Sequence, residues 1–322
     1  MTAEALWCTG PRQVQLRAGQ TGEGVAVEAV CSAISRGTER LVFEGRVPES
    51  EHQRMRAPFQ EGDFPFPVKY GYCMVGRLSE GPHAGRHVFA LHPHQRRFRL
   101  PEAALTLLPQ TLPPARAVLA ANMETALNVI WDSGAGPGDR VAVIGAGVVG
   151  ALCGWLAARL PGAQVTLVDA NPARAALAEQ LGCAFAAAAD VLDRAPPRAL
   201  RDCDVVIHAS ASAAGLATAL ACAGPEAVVV EASWHGAGTV PVPLGGAFHS
   251  RRLRLIASQV GTIPPARAPR WTHARRMACV LDLLADPALD ALISGETAFN
   301  DLPAEYARIL DAPDTLCHRI RY

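Results

Sequence analysis

The sequence predicts an α/β protein in which a β-rich first part precedes a doubly wound parallel sheet. Two observations carry this prediction. Between residues 141 and 260, short apolar runs typical of buried strands alternate with Ala- and Leu-rich stretches that have helical spacing. Before residue 100, apolar and polar side chains alternate as they do in half-buried strands.

The predicted elements follow one another in a regular order. Strands of the first part are "VQLRA", "GVAVEAVCSAI", "VGRLSEG" and "GRHVFAL". Residues 113–135 have helical apolar spacing between a Pro-Pro start and a Gly stop, which predicts a linking helix. The parallel strands are "VAVIG", "QVTLVD", "CDVVIHAS", "EAVVVEASW" and "LRLIASQV", and two helices and a strand, "TLCHRIRY", follow them. We therefore expect domains at residues 1–122, 123–257 and 258–322.

Composition excludes several classes of protein. The 322 residues are 50% hydrophobic and carry no net charge, so neither nucleic acid nor an anionic membrane is an expected partner. No apolar run reaches membrane-spanning length, and the first residues lack a basic region followed by an apolar stretch, so we expect a cytoplasmic protein. The nine cysteines have no paired spacing, which favours buried thiols over disulfides or a four-cysteine zinc site.

A glycine-rich turn, "VAVIGAGVVG", indicates a nucleotide site. Its GxGxxG spacing provides a tight bend at Gly145, room for a pyrophosphate at Gly147 and close helix-to-strand packing at Gly150. The helix that follows begins near Val148 and Val149, and its N-terminus is expected to face the phosphates.

An acidic residue stands at the expected distance from this turn. Asp169 ends the strand "QVTLVD" 19 residues after Gly150, where a carboxylate accepts hydrogen bonds from the adenosine ribose and repels a 2′-phosphate. This predicts NAD(H) rather than NADP(H) as the cofactor. Arg174 is expected either to lie along the adenine or to be a solvated helix charge.

The whole chain resembles the medium-chain dehydrogenase/reductase superfamily, the alcohol dehydrogenase kind. The resemblance is carried by "SAISRGTERLVFEG", "FPVKYGYCMVGRL", "AGPGDRVAVIGAGVVG" and "CDVVIHAS". It implies a GroES-like catalytic domain, completed by the C-terminal tail, and a Rossmann domain in which Ala209 and Ser210 also border the cofactor. It further implies a homodimer or homotetramer.

The motifs depart from those of the zinc-using members. Where the family has a cysteine ligand, this chain has Ser35 or Arg36, and Tyr72 and Cys73 replace the His and Glu of the second motif. The family's four-cysteine lobe is also missing. The closer resemblance is therefore to zinc-independent branches such as the bacteriochlorophyllide hydroxyethyl dehydrogenases, and we expect no metal. An unorthodox site of Cys73, Glu124 and either His92 or His94 is the alternative.

A hydride acceptor needs a proton donor, and four residues are candidates. Tyr72 replaces the family's metal ligand, and Thr38 matches the hydroxyl that often begins a proton relay. Glu124 is expected at the start of a helix near the nicotinamide pocket. Lys69 is the only lysine among 30 basic residues, and we expect it to lower the pKa of the Tyr72 phenol or to bind an anionic substrate. Each has a structural alternative: packing, turn formation, a helix charge or chance survival. His94 is a further relay candidate.

The sequence as a whole favours an NAD(H)-dependent oxidoreductase without zinc. Its substrate is expected to be an alcohol/ketone pair or an activated double bond on a ring-containing small molecule. A catalytically silent nucleotide-binding sensor or scaffold is the alternative. Residues 46–67 form a long interval between two motifs and are expected to be a substrate lid, or else a surface loop whose arginines pair with its own acids.

Overall fold

The computed structural model describes residues 1–192 and 196–322. The strands of this part of the chain are β1 (Thr2–Gly10), β2 (Gln13–Gln20), β3 (Val25–Ile34), β4 (Glu61–Gly62), β5 (Val68–Lys69), β6 (Met74–Leu78), β7 (His87–Ala90), β8 (Arg97–Leu100), β9 (Thr106–Leu107), β10 (Arg140–Ile144), β11 (Gln164–Asp169), β12 (Ala184–Ala187), β13 (Cys203–His208), β14 (Ala223–Glu231), β15 (Arg254–Ala257), β16 (Ile293–Ala298) and β17 (Cys317–Arg321).

The helices are α1 (Arg36–Phe43), α2 (Pro114–Ala117), α3 (Ala120–Ser133), α4 (Val148–Ala157), α5 (Arg174–Gln180), α6 (Ala188–Leu192), α7 (Ala213–Cys222), α8 (His273–Leu283) and α9 (Leu302–Asp311). None of the helices in the described part of the chain is long and apolar enough to cross a membrane.

The chain divides into two compact units. The first, here called the β-rich unit, comprises Met1–Ala121 and Met277–Tyr322, and the second, the parallel-sheet unit, comprises Asn122–Arg276. The sequence-based boundary after residue 257 is therefore too early, because residues 258–276 stay with the parallel sheet. Ser258 donates a hydrogen bond to Asp132 (Oγ–Oδ2 2.6 Å), and the Arg276 side chain is buried against α3.

The parallel-sheet unit confirms the predicted doubly wound sheet. Its strand order is β12-β11-β10-β13-β14-β15, and every neighbouring pair is parallel. Both faces are covered by helices, so the strands are apolar along their length, as Val141, Val143 and Val206 illustrate. The chain runs outward from β10 in one direction and then from β13 in the other. The carboxyl ends of these two strands therefore border the crevice where such sheets bind ligands.

The β-rich unit contains two sheets. β2-β1-β5-β4 form an antiparallel sheet, and β16-β17-β3-β6-β7-β9 form a larger one in which β8 also pairs with β3. The core of the larger sheet consists of buried apolar side chains from alternate strand positions: Val27, Met74, Leu78, Val88, Ala90, Phe98 and Leu100. Strand β17, near the end of the chain, pairs with β3, so the C-terminal segment completes a sheet begun by the first residues.

Candidate functional site

The turn after β10 is built around two glycines. Gly145 has φ +106°, and a Cβ there would lie 2.7 Å from the backbone N of Ser210. A Cβ at Gly150 would lie 1.8 Å from the carbonyl oxygen of Gly145. Neither position accepts a side chain, because one needs a left-handed backbone and the other a close approach of helix to strand. The turn thus has the bend and the packing that its sequence spacing predicts.

The outer side of the same turn is open. Gly147 is exposed, and a Cβ there would meet nothing within 4 Å. Helix α4 begins immediately afterwards, and its first residues, Val148 and Val149, are only half-buried. The first N–H groups of a helix have no partner within the helix and favour an anion. A pyrophosphate therefore fits this cradle without any side chain in its way.

Asp169, the last residue of β11, lies beside the turn. One carboxylate oxygen accepts a hydrogen bond from the N–H of Ala146 (2.7 Å), and the other accepts one from the N–H of Asn171 (2.8 Å). These contacts fix the carboxylate at the edge of the cradle, with lone pairs left for ribose hydroxyls. Arg174, at the start of α5, is buried, so a fully solvated helix charge is excluded for it.

The ends of β13 and β14 carry a cluster that sequence reasoning missed, apart from Ser210. His208 is fully buried, and its Nδ1 lies 2.6 Å from Oε2 of Glu231. Its Nε2 lies 2.7 Å from Oγ of Ser210, which is exposed. His235 is also hydrogen-bonded to Glu231 (3.2 Å). The available signal was a pair of polar residues, His208 and Glu231, each of which directly follows a run of apolar residues at the end of a strand.

In the β-rich unit, Tyr72 and Thr38 are brought together. The half-buried Tyr72 donates its phenolic hydrogen to Oγ of Ser35 (2.6 Å) and is also hydrogen-bonded to Thr38. Burial raises the pKa of the Tyr72 phenol, and the hydrogen bonds with Ser35 and Thr38 oppose this shift. The phenol is therefore protonated at neutral pH and is hydrogen-bonded to two hydroxyl groups. This arrangement suits a proton donor better than a base.

Sequence reasoning also missed the buried carboxylate of Glu39, which is hydrogen-bonded to the backbone of Ser35. Its carboxylate accepts hydrogen bonds from the Ser35 N–H (2.7 Å) and the Tyr306 hydroxyl (2.7 Å), and it contacts Nε2 of His94 (3.0 Å). His94 is fully buried, and its Nδ1 lies 2.8 Å from Oγ of Ser32. A buried carboxylate with partners on both oxygens holds the α1 start, and with it Ser35, in place.

Of the two roles predicted for Lys69, the lowering of the Tyr72 pKa is not found, and binding of an anionic substrate stays a prediction. Its ammonium pairs with Glu61 (2.8 Å) and donates to Oε1 of Gln95 (2.7 Å). Burial lowers the pKa of Lys69, and Glu61 opposes that shift. The phenol of Tyr72, moreover, has a raised rather than a lowered pKa. Lys69 is therefore the buried partner of an ion pair at the end of β5.

The expectation for Glu124 also needs correction. Glu124 lies inside α3 rather than at its start, and its carboxylate binds the guanidinium of Arg276 (3.0 Å). Both side chains are buried. Burial raises the pKa of Glu124, and the charge of Arg276 opposes that shift. Glu124 is thus one half of a buried ion pair, and the cation that neutralises it lies 152 positions later in the chain.

Groups that were considered for the unorthodox metal site are bound to other partners in the structure. Glu124 pairs with Arg276, and both ring nitrogens of His94 are hydrogen-bonded within the β-rich unit. His92 stacks on Phe98 with ring centroids 3.9 Å apart, and burial lowers its pKa to about 3. Among residues 1–192 and 196–322, the His, Cys, Asp or Glu groups near enough to share a cation are His208, Glu231 and His235.

Residues 46–67 match the second of the two expectations for that interval. Arg54 pairs with Glu51 (2.9 Å), and Arg56 pairs with Asp63 (2.5 Å). Phe64 is buried, and Phe59 is 42% exposed. Two arginines of the segment are thus engaged with its own acids, and Phe59 presents an apolar ring to solvent.

Known proteins resemble this chain in sequence and fold. The family model of zinc-binding dehydrogenases matches residues 149–278, which omits both segments where the zinc motifs are altered. A Mycobacterium tuberculosis protein named as a probable alcohol dehydrogenase is 33% identical over 193 residues, covering 56% of this chain and 46% of that protein. The chain thus matches about half the length of this relative.

Solved structures match over the whole chain. A protein from Sinorhizobium meliloti described as a zinc-binding dehydrogenase bound to NADP has a TM-score of 0.78 and 20% identity, with full coverage of both chains. Alcohol dehydrogenase from Thermus sp. ATN1 has a TM-score of 0.74 and 20% identity, with 99% of each chain covered. An Escherichia coli alcohol dehydrogenase complexed with NADH has a TM-score of 0.76 and 14% identity, with 100% of this chain and 99% of that chain covered.

These matches confirm the resemblance that the motifs indicated. The strand order of the parallel sheet and the β-rich unit completed by β17 are the architecture that the solved structures share. Taken together, the sequence matches show that part of the chain is similar to zinc-binding and alcohol dehydrogenases, and the solved structures show that its fold is the one these dehydrogenases have.

Proposed function

We propose that the protein is an NAD(H)-dependent oxidoreductase that works without the zinc ligands of its zinc-using relatives. When bound, the nicotinamide supplies or accepts the hydride. The substrate class is an alcohol/ketone pair or an activated double bond on a ring-containing small molecule. The observation that carries the proposal is the open glycine cradle at residues 145–150. Beside it, the carboxylate of Asp169 accepts a hydrogen bond from the N–H of Ala146 (2.7 Å).

Each part of the cradle has a task in holding the dinucleotide. Gly147 and the first turn of α4 fit the pyrophosphate, and Asp169 accepts hydrogen bonds from the adenosine ribose. A 2′-phosphate would bring negative charge against the same carboxylate, which supports NAD(H) over NADP(H). Arg174, buried at the start of α5, is proposed to border the adenine.

Tyr72 is the proposed proton donor of the reaction. Its phenol stays protonated because burial raises its pKa, and Ser35 and Thr38 orient the hydroxyl. When a carbonyl oxygen gains negative charge during reduction, the phenol turns its hydrogen from Ser35 to that oxygen and supplies the proton, and the hydroxyl of Ser35 or Thr38 then donates to the phenol oxygen. No metal contributes to this step in the proposal, because Tyr72 stands where the zinc-using relatives have a ligand.

The proposal is tested with purified protein in three measurements. Fluorescence titration with NADH and NADPH measures cofactor binding, and elemental analysis measures bound metal. A screen of ketones, quinones and enones for NADH oxidation then identifies the substrate class. Binding with turnover and without stoichiometric zinc supports the proposal. Binding without turnover on any of these classes would instead favour the sensor or scaffold, and absence of binding would refute both.

We also propose that the enzyme is a cytoplasmic homodimer or homotetramer. The nine cysteines support a reducing compartment, since none forms a disulfide and eight are buried. Sedimentation analysis measures the oligomeric state directly, and a monomer would contradict this part of the proposal.

A further inference from the structure

The ends of β13 and β14 carry three side chains that are able to bind a metal and that the proposed function leaves unused. His208 is the last residue of β13, Glu231 is the last residue of β14, and His235 follows four positions later. His208 lies opposite Glu231 in the register of this parallel pair, so both side chains project from the same face of the sheet. We call these three residues the His–Glu–His cluster.

One atom of each residue points to a common centre. Oε2 of Glu231 lies 2.6 Å from Nδ1 of His208 and 3.2 Å from Nε2 of His235. The three atoms all lie within 4.8 Å of one another, and the two imidazole rings are inclined by 26° with centroids 5.9 Å apart. Two imidazole nitrogens and one carboxylate oxygen are a ligand set that binds zinc and related transition metals.

The atoms that face away from this centre are held by other partners. Nε2 of His208 is hydrogen-bonded to Oγ of Ser210 (2.7 Å), and the second carboxylate oxygen of Glu231 accepts from the N–H of Ser233 (2.8 Å). Histidines that bind a metal almost always form a hydrogen bond through their other ring nitrogen, and carboxylates that bind a metal are held in a similar way. The cluster therefore has the outer contacts of a metal site as well as its ligands.

The backbone holds the segment from Glu231 to His235 against β13. The N–H of Ala232 donates to the carbonyl oxygen of His208 (2.9 Å), and Oγ of Ser233 accepts from the N–H of Ala211 (3.0 Å). The three ligands are thus near one another before an ion arrives. This arrangement lowers the entropic cost of assembling the site.

The burial of the three side chains leaves one side of the cluster open. His208 is fully buried, whereas the side chains of Glu231 and His235 are 17% and 18% exposed. An ion can therefore enter from solvent between Glu231 and His235, and His208 closes the inner side. A site with three protein ligands and one open side keeps a position for water.

The distances fit a metal after a small adjustment. Bonds of about 2.0–2.2 Å in a tetrahedral site place neighbouring ligand atoms about 3.4 Å apart. The 3.2 Å between Glu231 and His235 is already close to this value. The 2.6 Å between Glu231 and His208 has to widen by less than about 1 Å, and the partly exposed carboxylate can make this shift while His208 stays in place.

We propose that the His–Glu–His cluster binds one divalent transition-metal ion of the zinc type, with Nδ1 of His208, Oε2 of Glu231 and Nε2 of His235 as its ligands. Mg²⁺ and Ca²⁺ are less suitable, because they prefer oxygen ligands alone. The site goes beyond the proposed function, and it is separate in sequence from the altered zinc motifs at residues 35–36 and 72–73. A bound ion would join the ends of β13 and β14.

The test titrates the full chain with Co²⁺ after dialysis against a chelator. Co²⁺ replaces Zn²⁺ in sites of this kind, and its visible absorption depends on the number and geometry of its ligands. We expect one equivalent to bind with the spectrum of a four- or five-coordinate ion, and we expect Zn²⁺ to displace it. Absence of binding, or the spectrum of the hydrated ion alone, would overturn the proposal.

Three variants and a control assign the binding to the cluster. Loss of an outer partner alone lowers metal affinity about 10–100-fold, so His235→Ala and Glu231→Gln, which each remove a ligand, should bind Co²⁺ at least about a hundredfold more weakly. Ser210→Ala removes an outer partner and should bind about tenfold more weakly. His249→Ala replaces an exposed histidine of the same unit and should bind as the unmodified protein does. Equal affinities of His235→Ala and His249→Ala would overturn the assignment.

A stability measurement shows whether the variants fold. An ion that binds the folded chain raises the urea midpoint of unfolding. Each variant should unfold cooperatively without the ion. Co²⁺ should then raise the midpoint of the unmodified protein and of His249→Ala, but not that of His235→Ala or Glu231→Gln. An equal rise in all four proteins would place the ion elsewhere and would refute the site.

Failure of this inference can be told apart from failure of the proposed function. NADH binding and turnover are measured on the chelator-treated protein. If that protein oxidises NADH but takes up no Co²⁺, only this inference fails. If Co²⁺ uptake is abolished in His235→Ala, the inference is supported even where no NADH binds. Zinc in the purified protein counts against the zinc-free mechanism only where His235→Ala retains it.

Discussion

Replacing Arg276 decides whether the neighbouring Glu124 serves structure or chemistry. The guanidinium of Arg276 is 1% exposed and donates to Glu124 (3.0 Å), to Oδ1 of Asn128 (2.5 Å) and to the carbonyl oxygen of Val260 (2.6 Å). Arg276→Met fills much of the volume but leaves the Glu124 carboxylate buried without its cation. Removing one partner of a buried ion pair costs about 3–5 kcal/mol, a large share of the roughly 5–15 kcal/mol that stabilises a typical domain.

A double variant checks that the loss comes from the unpaired charge. Arg276→Met combined with Glu124→Leu replaces the whole pair by apolar groups, which is often close to neutral in stability. We therefore expect most of the loss to be recovered. Urea unfolding followed by tryptophan fluorescence measures this, and the Trp131–Trp271 pair, with ring centroids 4.7 Å apart, reports on the same unit.

The pH dependence of Arg276→Met gives an independent reading. Burial raises the pKa of Glu124 in the folded protein, and removing the opposing cation raises that pKa further. The folded variant then binds a proton more tightly than the unfolded chain does. Its stability is therefore retained below the unfolded pKa of a glutamate and is lost as pH rises from there to the folded pKa. The deficit relative to the unmodified protein should be smaller at pH 5 than at pH 8.

Two results would contradict this reasoning. If Arg276→Met lowers the free energy of unfolding by less than about 1 kcal/mol, the ion pair does not behave as a buried one. If Glu124→Gln leaves the unfolding midpoint unchanged but abolishes turnover, Glu124 is a catalytic group after all.

Four further outcomes are expected. In calorimetric titrations, the protein should bind NADH at least about tenfold more tightly than NADPH. Asp169→Asn should reduce this ratio of affinities, because the charge that faces a 2′-phosphate is removed. Tyr72→Phe should lower kcat about a hundredfold with NADH affinity unchanged, whereas unaltered turnover would move the proton donor elsewhere. Gly150→Ala should lose NADH binding, since its Cβ would lie 1.8 Å from the oxygen of Gly145. Lys69→Met should lower the unfolding midpoint and leave the kcat of the folded protein within about twofold; a large kcat loss would restore its proposed chemical role.

The elements of the parallel sheet were predictable because each is specified locally. Apolar runs such as "VAVIG" and "QVTLVD" bury both faces of a strand, and GxGxxG fixes the turn between a strand and a helix. The strand order then follows from short right-handed crossovers, which leave few alternatives. The nucleotide cradle was predictable for the same reason, since Gly145, Gly150 and Asp169 lie within one such unit.

Two of the residues that were misplaced or missed have partners that are distant in sequence. Glu124 pairs with Arg276, and the acceptor network of Glu39 includes Tyr306, 267 positions away. Proximity along the chain suggested that Lys69 acts on Tyr72, but β5 directs Lys69 to Glu61 and Gln95 instead. The hydrogen bond between His208 and Glu231 was overlooked because these residues end β13 and β14, which become neighbours only in the folded sheet.

The position of β17 in its sheet has a consequence for how the protein folds during its synthesis. β17 (Cys317–Arg321) lies between β16 and β3, whereas all strands of the parallel sheet lie between residues 140 and 257. Because the chain leaves the ribosome N-terminus first, the parallel-sheet unit can pair its strands early, while one edge of β3 stays unpaired. An unpaired edge is a template for aggregation. Synthesis that stalls before Cys317 should therefore yield an aggregation-prone chain whose parallel-sheet unit is already formed, and a holdase chaperone should be retained on the nascent β3 until translation ends.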